Sequence, residues 1–234
     1  MTHTVVARLR GRLIVSCQAL EGSPLRDPKM IAALAQCAER GGAGAVRVDS
    51  PGDIAAVRRS VTIPIIGIYK IRGPSPVYIT PTFEAGRAVA QAGAEIVAVQ
   101  ATQDRASTPD RLEEVIARLQ GECRVLVMAD VSTLQEGVDA AEAGADLVAT
   151  TMSGYTPYSP KMDGPDLDLV STLARRVSIP VVAEGRIRTP EEAARAIRAG
   201  AWAVVVGRAI TMPEAITEGF VRAIGDARPS ARST

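Results

Sequence analysis

The chain has 234 residues, with 27 Lys+Arg against 26 Asp+Glu, a formal net charge of +1 and only 3% aromatic residues. Charge so nearly balanced, with so few rings, argues against a nucleic-acid footprint, an acidic membrane surface or a base-stacking platform. The length suits one domain, residues 1–234, with an N-terminal arm at 1–12 and a flexible tail at 226–234.

The arm reads MTHTVVARLRGRLIVSC, and its apolar run stops at Gln18 and Glu21, too soon for a secretory signal. Cys17, Cys37 and Cys123 lack C-x-x-C spacing and read as small reduced core residues, so a cytoplasmic setting is expected. From there the sequence alternates short β-branched runs with helical stretches. Strands are predicted at 13–18, 43–49, 63–70, 94–100, 124–130, 145–151, 180–185 and 201–207. Their apolar runs are nearly continuous, as in parallel strands covered on both faces.

Helix starts are predicted where a capping oxygen adjoins proline: Asp27-Pro28, Thr80-Pro81, Thr108-Pro109, Asp163-Gly164-Pro165 and Thr189-Pro190. Glycines 42, 93, 144 and 200 each close a helix before an alanine that opens a strand. The phrases VTIPII (61–66) and VSIPVV (177–182) recur at strands three and seven and hint at a half-barrel duplication. Eight evenly spaced units predict an α/β fold, a single (β/α)₈ TIM barrel; an open doubly wound sheet is the competing architecture.

In such a barrel the working groups stand at the C-terminal strand ends. Strands one, three, five and seven deliver Gln18, Lys70, Asp130 and Glu184, expected to form one polar layer above Ile68, Met128 and Val182. Even strands add Arg47, Gln100 and Thr150 or Thr151. Strands seven and eight continue into Gly185-Arg186 and Gly207-Arg208, where a phosphate can meet backbone N–H groups and guanidinium forks. His3 is the only histidine, so a Ser-His-Asp triad or a histidine metal site is not expected. Asp130 and Glu184 could hold magnesium, but a lysine at the same level competes for them, and no metal is predicted. A lysine facing carboxylates suits proton transfer at carbon, or a Schiff base with a carbonyl substrate.

The blocks SCQALEG-P (16–24), IPIIGIYK (63–70), ITPT (79–82), MADVST (128–133), TTMSGYTPY (150–158), GPD (164–166), PVVAEGRI-TP (180–190) and AVVVG-AIT (203–211) resemble N-acetylmannosamine-6-phosphate 2-epimerases. The resemblance implies interconversion of N-acetylmannosamine 6-phosphate and N-acetylglucosamine 6-phosphate in sialic-acid and amino-sugar catabolism, without metal or organic cofactor. It makes Lys70 and Glu184 the catalytic pair and Gln18, Arg47 and Asp130 substrate contacts. Gly185 and Gly207 become part of the phosphate cradle, with Arg186 and Arg208 beside them. The expected partner is a small phosphorylated amino sugar, and a homodimer is a further expectation.

The chain departs from the resemblance in two places. Gln100 stands where an aspartate is expected, and a carboxylate lost at the mouth would alter how the sugar is held. Arg208 and Met212 replace a pattern with a second glycine and a later arginine, as though the phosphate arginine had moved. Two other readings remain: a Schiff-base aldolase or lyase, marked by borohydride trapping, and a sugar-phosphate-binding barrel without catalysis, marked by ligand binding without C2 proton exchange.

Overall fold

A computed structural model describes residues 4–108 and 110–227. Eight strands, β1 (Arg12–Cys17), β2 (Ala45–Asp49), β3 (Ile65–Ile68), β4 (Ile96–Gln100), β5 (Leu126–Asp130), β6 (Leu147–Ala149), β7 (Val181–Glu184) and β8 (Ala203–Val206), pair in parallel and in sequence order. The sheet closes where β1 pairs with β8, Ile14 opposite Val205, so the predicted barrel is the observed one and the open sheet is excluded.

The continuous apolar runs have the predicted cause, because each strand is buried on both faces. Ile14, Ile66, Ile96, Met128, Val182 and Ala203 fill the interior. Val15, Val46, Val97, Val127 and Val148 face outward onto Ile31, Ile54, Val89, Ile116 and Leu173 of the helices. Each such side chain contributes about 1.5–3 kcal/mol on leaving water, which is why this two-sided shell dominates the fold's stability.

The helices are α1 (Thr4–Arg8), α2 (Pro28–Arg40), α3 (Pro51–Arg58), α4 (Phe83–Gln91), α5 (Leu112–Cys123), α6 (Leu134–Glu142), α7 (Leu167–Arg176), α8 (Pro190–Arg198), α9 (Arg208–Thr211) and α10 (Pro213–Asp226). Asp27 caps α2 and Thr189 caps α8 as predicted, the latter in a capping box with Glu192. Three starts differ. Thr82, rather than Thr80, caps α4, because the Thr80 hydroxyl accepts a bond from the Tyr69 N–H. Asp166, rather than Asp163, caps α7, and α5 begins after Arg111 without a side-chain cap; Pro109 lies outside the described residues. The closing glycines 42, 93, 144 and 200 all adopt φ between 90° and 108°, where a Cβ is disfavoured.

The repeated phrases occupy equivalent places, since the Pro64 carbonyl accepts from Val46 N and the Pro180 carbonyl from Val148 N, at 3.0 and 3.1 Å. The expected arm at 1–12 holds a short helix instead: Val6 and Leu9 enter the interior cluster and plug the barrel floor, with Trp202 Nε1 donating to the Val6 carbonyl. His3 lies outside the described residues, as do 228–234 of the expected tail, whose first residue, Asp226, still belongs to α10. Of the cysteines, only Cys17 is a core residue, its thiol pushed up to about 12 by burial; Cys37 is exposed, and all three are free.

Candidate active site

At the C-terminal ends of the strands the barrel opens into a cavity of about 810 Å³. Its floor is formed by Ser16, Gln18, Arg47, Lys70, Thr151 and Glu184, and the β7 and β8 side by Gly185, Arg186, Arg188, Gly207, Arg208 and Met212. Period-two alternation turns Ser16, Arg47 and Glu184 inward from their strands, and the loops that follow the strands bring the rest.

The polar floor is not the four-membered ring of odd strands that the sequence suggests. Its centre is Arg47, from even strand β2, whose side chain is 1% exposed. Arg47 Nη1 donates to Glu184 Oε2 at 2.7 Å and to Asp130 Oδ1 at 3.0 Å, while Nη2 donates to Asp130 Oδ2 at 2.5 Å. The Thr151 hydroxyl lies 2.7 Å from Asp130 and 3.1 Å from Glu184. Asp130 is therefore fully buried behind the guanidinium and does not line the cavity, contrary to its expected role as a substrate contact. Arg47 Nε is the one buried side-chain donor among the described residues without an acceptor, which leaves it an N–H to offer.

Lys70 and Gln18 form a second group. Lys70 lies two residues beyond β3, which ends at Ile68 rather than continuing to 70, and its Nζ donates to Gln18 Oε1 at 2.5 Å. Gln18 Nε2 donates in turn to Ser16 Oγ at 2.7 Å, so the amide is oriented from below. The Asp49 carboxylate holds the Lys70 backbone N–H at 2.9 Å.

These surroundings move the two candidate catalytic groups in opposite senses. Burial lowers the Lys70 pKa, helped by the positive charges of Arg47 and Arg72 and opposed by Asp49 and Glu184. Burial raises the Glu184 pKa, helped by Asp130 and opposed by Arg47, Thr151 and Lys70. Burial also disfavours the Arg47 charge, but Asp130 and Glu184 outweigh it and hold the guanidinium protonated. A lysine and a carboxyl both drawn toward neutrality suit a base and an acid.

The cradle residues divide. Gly185 sits at φ 111°, a conformation that needs glycine, and lines the cavity. A Cβ at Gly207 would meet the Ser16 Cβ at 3.3 Å, so glycine there also serves close packing. Arg186 is committed elsewhere than expected: Nη1 donates to the Ser153 carbonyl at 2.5 Å and Nε to the Gly164 carbonyl at 2.8 Å, stapling the two ends of the β6–α7 loop. Arg208 is exposed at the rim, one turn before Met212, and both line the cavity. Gln100 is wholly buried and does not line the cavity; its amide binds the β3–α4 hairpin, which removes the reason for expecting a change in how the sugar is held.

Sequence reasoning missed Ser16, Tyr78, Arg188 and Arg222, all cavity-lining. Ser16 was findable, lying two positions before Gln18; Tyr78 sits on a hairpin, Arg188 in the loop after β7 and Arg222 on α10, away from any strand end. Among the described residues no cluster of three or more His, Cys, Asp or Glu could hold a metal, and no helix is long and apolar enough to cross a membrane.

The family model described as "NanE: Putative N-acetylmannosamine-6-phosphate epimerase" matches residues 31–226. A relative from Caldanaerobacter subterraneus subsp. tengcongensis, named "Putative N-acetylmannosamine-6-phosphate 2-epimerase", is 49% identical, with 98% of each chain covered. One of the same name from Cutibacterium acnes is 47% identical over 94% of this chain and 96% of its own. The solved N-acetylmannosamine-6-phosphate 2-epimerase from Clostridium perfringens superimposes with a TM-score of 0.91 at 38% identity, covering 95% of this chain and 97% of that one. With a matching model over most of its length and such relatives end to end, the chain belongs to the NanE family of N-acetylmannosamine-6-phosphate epimerases.

Proposed function

We propose that the protein inverts C2 of an N-acetylated amino-sugar 6-phosphate, interconverting N-acetylmannosamine 6-phosphate and N-acetylglucosamine 6-phosphate. The observation that carries this reading is that Lys70 and Glu184 face one cavity from the β3 and β7 sides, where burial draws each toward neutrality, in a chain of this family. The C2 proton is acidic only when the ring is open and C2 adjoins the C1 aldehyde. Neutral Lys70, its lone pair freed by donating an N–H to Gln18, takes that proton and becomes ammonium. The electron pair of the C–H bond passes into an enolate whose charge the Arg47 guanidinium, at the cavity floor, stabilises. Protonated Glu184, from the opposite strand β7, returns a proton to the other face of C2 and becomes carboxylate. The reverse reaction begins from that ion pair.

Asp130 then acts through Arg47 rather than on the sugar. Phosphate is assigned to the β7 and β8 side, where Gly185 and Gly207 offer backbone and Arg208 a guanidinium. A homodimer is also proposed. No residue of α10 is buried, and Phe220, Val221 and Ile224 are 69%, 64% and 64% exposed, an apolar stripe that a second copy would cover.

The test is to incubate the protein with N-acetylmannosamine 6-phosphate in deuterated water and follow C2 by NMR. Deuterium entering C2 as the other epimer grows in is the expected result. Lys70→Met and Glu184→Gln should each abolish turnover; normal turnover in both would reject the assigned pair.

A further inference from the structure

Lys70 is not on a strand but at the base of a β-hairpin, and what fixes that hairpin also fixes the lysine. Lys70 pairs with Ile79 in an antiparallel bridge, Ile71 N donates to the Tyr78 carbonyl at 2.9 Å, and Thr80 N donates to the Tyr69 carbonyl at 2.9 Å. The hairpin's tip, residues 71–76, is exposed, and packing reaches only its returning strand, where Val77 and Ile79 are buried. Gln100, at the end of β4, adds polar bonds that set the returning strand's register. Its Oε1 accepts from Tyr78 N at 3.0 Å and Ile79 N at 3.4 Å, its Nε2 donates to the Pro76 carbonyl at 3.1 Å, and its own N–H donates to the Ile79 carbonyl at 3.0 Å. Thr102 Oγ1 accepts the other amide hydrogen at 2.9 Å, which fixes the amide's orientation.

We propose that Gln100 is a positioning residue for Lys70, clamping the returning strand of the hairpin so that the lysine enters the cavity at one depth. The amide suits this task because it supplies acceptor and donor together, whereas a carboxylate at the same place has no hydrogen for Pro76 or Thr102. Ile79 is gripped from both sides, by Gln100 and by Lys70, so a displaced Ile79 displaces the lysine. The groups facing Lys70 are Gln18 just beyond β1, Arg47 and Asp49 from β2, Glu184 from β7, and Arg72 of the hairpin itself. The inference depends on the proposed role of Lys70 for its catalytic consequence, but not for its structural one.

The two are separable by titration. Lys29, Lys70 and Lys161 are the chain's three lysines, and Lys29 and Lys161 are exposed. In protein labelled with ¹⁵N-lysine, the Nζ signal of Lys70 therefore titrates apart from the rest. Gln100→Met should move that midpoint upward, toward an ordinary solvated lysine, and lower kcat for C2 exchange at least tenfold with a smaller change in KM. Leu9→Ala, which loosens the barrel floor at the far end, should leave the midpoint in place. An unchanged midpoint and kcat in folded Gln100→Met overturns the inference. Should that variant fail to fold, Thr102→Val, which frees the amide to turn, should give a smaller shift in the same direction; no shift there counts equally against it. A shifted midpoint in Gln100→Met, with exchange surviving in Lys70→Met, retains the positioning inference and rejects the catalytic assignment of Lys70.

Discussion

Arg47 and Glu184 arise from strands three places apart around the barrel, yet their side chains meet at 2.7 Å, with Asp130 held on the same guanidinium. Removing the arginine leaves two buried carboxyls facing one another. Arg47→Met is expected to cost about 3–5 kcal/mol, the range for breaking a buried pair by deleting one partner. It should also slow C2 exchange by about 10² to 10³, as for loss of an aligned transition-state donor. Urea unfolding and the deuterium-exchange assay measure the two effects separately.

Stability should depend on pH through Lys70 in a definite sense. Its folded pKa is lowered, so protonation is less favourable in the native state than in the unfolded one. The resulting cost is fully present below the folded pKa. It disappears as pH rises through that value toward the unfolded 10.5, where the unfolded chain holds a proton that the native one lacks. Lys70→Met should therefore be more stable than the native chain at neutral pH, with the gap narrowing in alkali. Urea midpoints taken across that range decide it; a gap that widens contradicts the burial argument.

The plug at the barrel floor concerns stability alone. Leu9 is fully buried among Ile14, Ile66 and Val205, so Leu9→Ala should cost about 2–5 kcal/mol. The turnover number of the folded fraction should be unchanged, since the cavity opens at the other end.

Two arginines near the phosphate side should behave differently. Arg208→Ala removes a charged contact worth about 1.5–3 kcal/mol, so KM should rise roughly 10- to 100-fold for the 6-phosphate and hardly at all for the unphosphorylated sugar. Arg186→Ala releases the loop pinned at Ser153 and Gly164 and should weaken both substrates alike. Steady-state kinetics with the two sugars distinguishes an anion contact from a loop staple.

The stripe on α10 predicts an assembly. Replacing Phe220 and Ile224 with aspartate should convert a dimer to a monomer in sedimentation equilibrium, without loss of barrel circular dichroism. A native chain that sediments as a monomer would contradict the proposal.

Much of this was legible because strands buried on both faces leave long apolar runs that end abruptly at polar residues. Gln18, Lys70, Asp130 and Glu184 stood out for that reason; three of them line the cavity, and Asp130 lies beneath it on Arg47. What the runs do not encode is who pairs with whom. Arg47 looked subsidiary as one even-strand residue, whereas its long side chain reaches across the barrel and takes the centre. Arg186 looked like an anion ligand because guanidinium chemistry suits phosphate, but backbone carbonyls of a neighbouring loop satisfy the same donors. The floor helix escaped because five residues are too few to show a helical period. Gln100 was misjudged because its partners are main-chain atoms of a hairpin whose path no side-chain pattern announces.

The floor around Arg47 has a consequence for how this barrel can change. With Lys70 and Glu184 both neutral, Arg47 and Asp130 cancel; after a proton has crossed between them, the new ammonium and carboxylate cancel too. The chemistry therefore presents the same zero sum to the rest of the molecule before and after each turnover. A phosphate held at the rim, as proposed, meets no change of net charge as the proton passes, only the field of the new ion pair. Rim residues such as Arg208 and Met212 can then drift toward another anionic handle while the proton-transfer machinery keeps its tuning.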